Sequence, residues 1–212
     1  MKHFTHLTFD VGRCLKEAGQ LQKLLATHKD LKEREHIQPF FEKRRHLSAF
    51  IAAYNPNIVH FDLLAYQYPL FGDFSCDVVV GDSVKHSCTF IEFEDAGPRS
   101  LFVRQGKKTT REWSPRFDHG YSQIIDWFYK LHDMERSADY EARFGAPSIS
   151  FTGVLVLGRD QYLLPGEKAR LDWRRRNVAV HSQNIQCVTF DGLLEDVLGR
   201  LKTFTLAARA GG

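Results

Sequence analysis

The chain has 212 residues, 43% hydrophobic and 13% aromatic with 17 Phe, enough for the core of one domain, alone or with a helical extension. Its net charge of +3 does not announce a nucleic-acid binder by composition, and its four cysteines, Cys14, Cys76, Cys88 and Cys187, form no Cys-x-x-Cys pair or zinc spacing. With no run of about 18 apolar residues and no apolar signal core in "MKHFTHLTFDVGRC", a soluble, cytoplasmic protein with reduced, packed thiols is expected, outside any membrane.

Residues 13–32 predict a charged helix with Leu15, Leu21, Leu24 and Leu25 as an apolar stripe. That stripe suits an interface between copies or a dock on its own domain. Pro39 then marks the first turn of a second helix that starts near Gln38 and ends at "NPN", 55–57. Strands follow at 58–66, 75–82 and 86–94, joined by "YPLFGD" and a Gly-Asp turn, as an antiparallel meander. Between Asp95 and Asp118 the periodicity lapses and basic residues gather. "GYSQIIDWFYKLHDMERSADYEARFG" returns to helix, with Ile124, Phe128 and Leu131 in one stripe. The apolar run at 148–160 reads as a strand buried on both faces. A helix with Pro165 near its start, a strand in "NIQCVTF" and an Asp191-capped helix carrying Leu194, Val197, Leu198 and Leu201 complete the order. The sum is an α/β sandwich around a mixed sheet, with the meander on one side and a crossover on the other.

Within that pattern, "TFIEFEDAG" sets Glu92 and Glu94 two residues apart on one side of a strand, at a spacing of about 7 Å. Either that face is wet, or the carboxylates hold a metal. Asp77 lies one hairpin earlier in "SCDVVV", and if the strands pair it can meet Glu92 on one face and share a divalent cation. Hard oxygen donors would select Mg²⁺, Mn²⁺ or Ca²⁺. Directly after the strand, Arg104, Lys107, Lys108, Arg111 and Arg116 form a basic stretch able to rim the acids and meet phosphate. Nearby Trp113 could stack on a base or serve as a packing lid. A second cluster, Lys168, Arg170 and Arg174 to Arg176, reads as a solvated face.

Asp77, the strand motif Glu92-Phe93-Glu94 and a following helix with Gln123 together resemble the PD-(D/E)XK nuclease superfamily. More narrowly, the chain resembles the Shedu family of bacterial anti-phage defence nucleases over residues 33–202, in the order "EHIQPFFEKRRHLSAFI", "GYSQIIDW", "FTGVLVLGRD", "EKARLDWRRRN" and "VTFDGLLEDVL". That resemblance implies a restriction-endonuclease-like mixed β-sheet flanked by helices and Mg²⁺-dependent hydrolysis of DNA, with Mn²⁺ as a substitute ion. It implies that Asp77 and Glu92 hold the metal with the Phe93 carbonyl, that Gln123 positions the attacking water, and that Glu35 or Glu42 completes the shell. It also implies a homo-oligomer. The expected organisation is an N-terminal extension at 1–32, a nuclease-like domain at 33–206 and a flexible tail at 207–212. With so few residues ahead of the likeness, regulation is expected through assembly or a partner. The superfamily pattern ends in Lys where this chain has Glu94. Glu94 would then act as general base, helped by more metal or by the charge of Lys107 or Lys108. The other reading is a module that keeps the fold and binds nucleic acid without cutting.

Overall fold

The computed structural model describes residues 4–180 and 182–210, with side chains to residue 203. A short edge strand, β1 (Thr5–His6), precedes helix α1 (Val11–Thr27), whose start is capped by the Asp10 carboxylate accepting the Arg13 N–H at 2.6 Å. α1 ends earlier than expected because His28 is extended. A π-helical turn at Glu33–Ile37 then runs into α2 (Gln38–Glu42), and α3 (Arg45–Phe50) follows. The single helix expected here is broken at Lys43 and Arg44. The cause is tertiary: the Glu17 carboxylate of α1 accepts the Leu47 N–H at 2.7 Å and so satisfies a new helix start.

The meander consists of β2 (Leu63–Leu70), β3 (Phe74–Asp82) and β4 (Ser87–Phe93). β2 starts later than expected, since the Val59 and His60 N–H groups are taken by the Asp82 carboxylate at 2.9 and 2.8 Å and stay out of any ladder. A two-stranded hairpin, β5 (Phe102–Val103) and β6 (Glu112–Trp113), lies in the segment where periodicity lapsed. The long helix resolves into α4 (Pro115–Met134) and α5 (Ala138–Phe144), because Arg136 has φ +66° and Ser137 caps the second piece. Then come β7 (Ser150–Val156), α6 (Pro165–Asn177), the small pair β8 (Ala179–Val180) and β9 (Gln183–Asn184), β10 (Gln186–Val188) and α7 (Phe190–Ala210). The tail expected at 207–212 falls on the end of α7 and on two residues outside those described.

The six strands order as β1-β2-β3-β4-β7-β10. β1 to β4 pair antiparallel, while β4–β7 and β7–β10 are parallel, so this is the mixed sheet flanked by helices that was expected. One face carries Val78, Val80, Ile91, Phe93, Val154 and Val156 against the helices α1, α2, α3 and α7. The other carries Val79, Phe90, Phe151 and Leu155 against α4, α5 and α6. In α1, Leu21 and Leu25 are buried in the first core while Leu15 is 41% exposed, so much of the stripe docks on its own domain. All four cysteines are buried and unpaired. Among the described residues no helix is long and apolar enough to cross a membrane.

The second core sets the position of α4. A Cβ built on Gly153 of β7 would stand 2.4 Å from Ile124 Cγ2 and 3.0 Å from Phe128, and one on Gly120 would stand 2.7 Å from Leu155. Helix and sheet therefore touch through these glycines, which brings the α4 side chains down to the strand ends. Gly153→Ala is expected to lower the urea midpoint by the equivalent of about 1–3 kcal/mol, because the extra methyl forces the helix outward.

Candidate functional site

Strand alternation explains why two carboxylates sit in an apolar run. Phe93 points into the first core, where its ring stacks on Phe41 at 4.3 Å and on Phe190 at 6.2 Å. A slip of one residue would expose it, so Glu92 and Glu94 are fixed on the opposite face. That face is not wet: Glu92 is 7% exposed and Glu94 1%. The register pairs Val78 with Ile91, so the next positions, Asp77 and Glu92, lie opposite each other across β3 and β4.

Asp77 is held from three sides. Its Oδ1 accepts the side-chain amides of Gln67 at 2.6 Å and Gln38 at 2.7 Å, and its Oδ2 accepts the Phe93 N–H at 2.9 Å. Gln67 reaches it from β2, where the pairs Tyr66–Val78 and Tyr68–Cys76 leave Gln67 across from Asp77 with φ +47°. A non-glycine residue in that region stores strain, a trait that clusters at functional sites. Gln38 is delivered by the π-helical turn before α2, another feature frequent at such sites. A carboxylate offers about four acceptor positions; three are filled here, which leaves one. Burial pushes the Asp77 carboxyl up to about 6 against the pull of these donors. Glu92 is pushed to about 10, by burial first and then by the charges of Asp77, Glu94 and Glu33.

Glu94, one residue beyond β4, faces α4. Its Oε2 accepts from Arg116 Nη1 at 2.8 Å; burial raises its carboxyl to about 7 while that guanidinium opposes the rise. Arg116 Nε also meets Asp95 at 3.1 Å, and Nη1 stands 3.6 Å from Glu33. Asp95 in turn accepts the Glu33 N–H at 2.9 Å and pairs with Lys32 at 3.3 Å. A backbone bridge between Leu31 and Ala96 joins the two segments, which is how "EDAG" holds the π-helical turn against the strand end.

Together these groups line a cleft of about 520 Å³ at the carboxyl end of β4, where open α/β sheets place ligands. Glu33, Glu35, Gln38, Gln67, Asp77, Glu92, Glu94 and Asp95 contribute its polar wall. On the opposite wall, α4 presents Arg116, His119 and Gln123, spaced along one helix face. Gln123 Oε1 is buried with no hydrogen-bond partner among the described residues. An unpartnered buried amide oxygen beside two acids is an open place for a donor.

Among the described residues no group of three or more His, Cys, Asp or Glu is arranged to hold a metal ion. The acids are turned to other partners: Glu94 and Asp95 to Arg116, and Asp77 to two amides. What remains is Glu92 and one acceptor position on Asp77, both hard oxygens. Two buried carboxylates across a strand pair call for a cation or a proton, and these donors fit Mg²⁺ or Mn²⁺.

The residues expected to meet nucleic acid are dispersed. Arg104, Lys107 and Lys108 are exposed in the loop between β5 and β6, and none of them lines the cleft; Lys108 pairs with Glu112. Arg111 is bound to the Glu167 carboxylate and donates to the Tyr162 carbonyl at 2.8 Å. Trp113 is a packing lid, stacked between Phe102 at 4.4 Å and Phe117 at 4.3 Å. In the second basic cluster, Arg170 and Arg174 lie over these same rings rather than in solvent, Arg174 4.2 Å from the Tyr121 centroid. Glu35 lines the cleft but Glu42 does not, and Gln38, Gln67, Glu33, Asp95 and His119 join it without having been singled out.

A family model described as "Shedu protein SduA, C-terminal" matches residues 30–194, and the chain therefore belongs to the Shedu family. That membership points to anti-phage defence. No curated protein matches the chain.

Proposed function

We propose that this Shedu chain is a nuclease of the PD-(D/E)XK kind, which hydrolyses phosphodiester bonds of DNA in anti-phage defence with Mg²⁺, or Mn²⁺, held by Asp77 and Glu92. The observation that carries the reading is the pairing of those two carboxylates across β3 and β4, both buried and both with raised pKa, at the carboxyl end of a central strand. A divalent cation bound there supplies positive charge to the scissile phosphate and acidifies a water. Gln38 and Gln67 hold Asp77 in one orientation, so its remaining acceptor position points one way. Gln123 Oε1, lacking a partner, accepts a proton donor such as a water hydrogen and orients it. Lys32, Arg34, Arg116 and His119 on the cleft wall give a phosphate backbone its contacts.

A second reading, binding without cutting, is favoured by Glu94 standing where the PD-(D/E)XK superfamily pattern has Lys. The two separate in one assay: plasmid and linear DNA incubated with Mg²⁺ or Mn²⁺, wild type beside Asp77→Ala. Cutting by the wild type, reduced at least about 10²-fold in a variant that keeps its circular dichroism spectrum, is expected. Salt-dependent DNA binding by folded wild type that cuts with neither metal would establish the second reading instead.

A further inference from the structure

We infer that Arg116 is the catalytic cation of this site, a phosphate-binding guanidinium, and that Glu94 is its positioning residue. This rests on the nuclease reading above. In that reading the attacked phosphate needs a fixed positive charge beside the metal-holding pair. The position two residues beyond Glu92 is an acid, so the charge has to come from another element.

The described residues offer few sources. Lys107, Lys108 and Arg111 do not line the cleft, and Lys108 and Arg111 are each paired with an acid elsewhere. Lys32 is shared between Asp30 and Asp95. Arg34 and His119 also line the cleft, but among the described residues no acid holds either of them in one orientation. Arg116 is different in three respects. Its attachment is rigid, since it occupies the first turn of α4 behind Pro115, and the Ser114 hydroxyl caps that turn by accepting the Phe117 N–H at 3.0 Å. Its guanidinium is oriented on two edges, by Glu94 through Nη1 and by Asp95 through Nε. Its side chain lines the cleft and is still 49% exposed, and among the described residues its bonds run through Nη1 and Nε, none through Nη2.

A guanidinium has five N–H donors in a fixed plane, and with Nε and Nη1 engaged the two N–H groups of Nη2 are left to meet phosphate oxygens. The positive end of α4 adds to the field at the same point. In this role Glu94 holds Arg116 on the wall of the cleft that Asp77 and Glu92 also line, and so becomes the support of a cation supplied by the neighbouring helix.

The test is steady-state cleavage of a short DNA duplex with Mg²⁺ by the full chain as wild type, Arg116→Ala, Arg116→Lys and the double variant Glu94→Lys/Arg116→Ala, with Asp77→Ala as the inactive reference. Arg116→Ala is expected to lower kcat by about 10²–10³-fold while KM moves by less than about threefold. Arg116→Lys should recover part of the loss. The double variant, which returns an ammonium from the strand, should exceed Arg116→Ala by at least about tenfold. Mn²⁺ binding, followed by electron paramagnetic resonance, should be no weaker in Arg116→Ala than in the wild type, which a collapsed site would not allow. If Arg116→Ala does not fold, Arg116→Gln takes its place with the same expectations. Wild-type cutting that survives in Arg116→Ala, or a double variant no better than the single one, overturns the role of Arg116 and leaves the nuclease reading intact. A wild type that does not cut removes both.

Discussion

Replacing Glu92 by glutamine is expected to abolish cleavage and, in the same step, to stabilise the metal-free protein at pH 8. Burial and the neighbouring acids raise the Glu92 carboxyl to about 10, against an ordinary value of 4.5. The fold thus keeps a proton that the unfolded chain releases. Its contribution to stability is fully present below pH 4.5 and is lost as the pH rises toward 10. Asp77, raised to about 6, and Glu94, raised to about 7, add to the same slope at lower pH. At pH 8 the accumulated loss from Glu92 is at most about 5 kcal/mol, on the scale of 1.36 kcal/mol per pKa unit over the interval from 4.5 to 8. Glutamine carries no such charge, so Glu92→Gln should raise Tm by roughly 5–10 °C at pH 8 and change it little at pH 5. Mg²⁺ should distinguish the two proteins. It stabilises wild type by binding the folded state, more at pH 8 than at pH 6, and leaves Glu92→Gln unmoved. Thermal scans at the three pH values, with and without Mg²⁺, read all of this. A wild-type Tm indifferent to pH and to Mg²⁺ would mean that the pair is already compensated within the fold.

Glu92, Glu94 and Asp77 were legible in the sequence because strand alternation is a short-range rule: an apolar Phe93 fixes its neighbours to the other face. The parallel crossover to β10 was legible for the same reason, through the apolar run of β7 and the helix starts at Pro165 and Asp191. Gln38 and Gln67 were not, since an amide follows no periodic pattern and the left-handed turn at Gln67 arises from how β2 meets β3. The breaks at Lys43 and Arg136 were hidden too, as neither carries proline or glycine and Glu17 caps α3 from a distant helix. Charge misled in a similar way. Arg111 read as an available cation and Arg170 and Arg174 as part of a solvated face, yet a carboxylate and a stack of aromatic rings already occupy them. Sequence supplies the charge of a residue, whereas its partner is a tertiary fact.

Arg159 shows the converse, a motif residue whose work is structural. It stands second from the end of "FTGVLVLGRD", and its guanidinium grips Asp191 of "VTFDGLLEDVL" through Nε at 2.9 Å and Nη2 at 3.0 Å, while Nη1 donates to the His28 carbonyl at 3.2 Å. Asp191 also accepts the Asp160 N–H at 2.8 Å. The next residue back in the chain, Gly158, donates to the Asp95 carbonyl at 2.9 Å and accepts the Phe190 N–H at 3.2 Å. Arg159 thus ties the end of α1 to the start of α7, while the Gly158 backbone beside it joins that start to the segment that carries Asp95 into the cleft. Arg159→Ala leaves Asp191 without its partner and a carbonyl without its donor, and should cost about 3 kcal/mol in urea unfolding. Arg159→Ala combined with Asp191→Ala should cost less than the sum of the two single changes, by at least about 1 kcal/mol, because the second change removes a charge the first had stranded. Additive costs would show that the two groups contribute independently, and that the pairing of the two motifs is not what holds the cleft's floor in place.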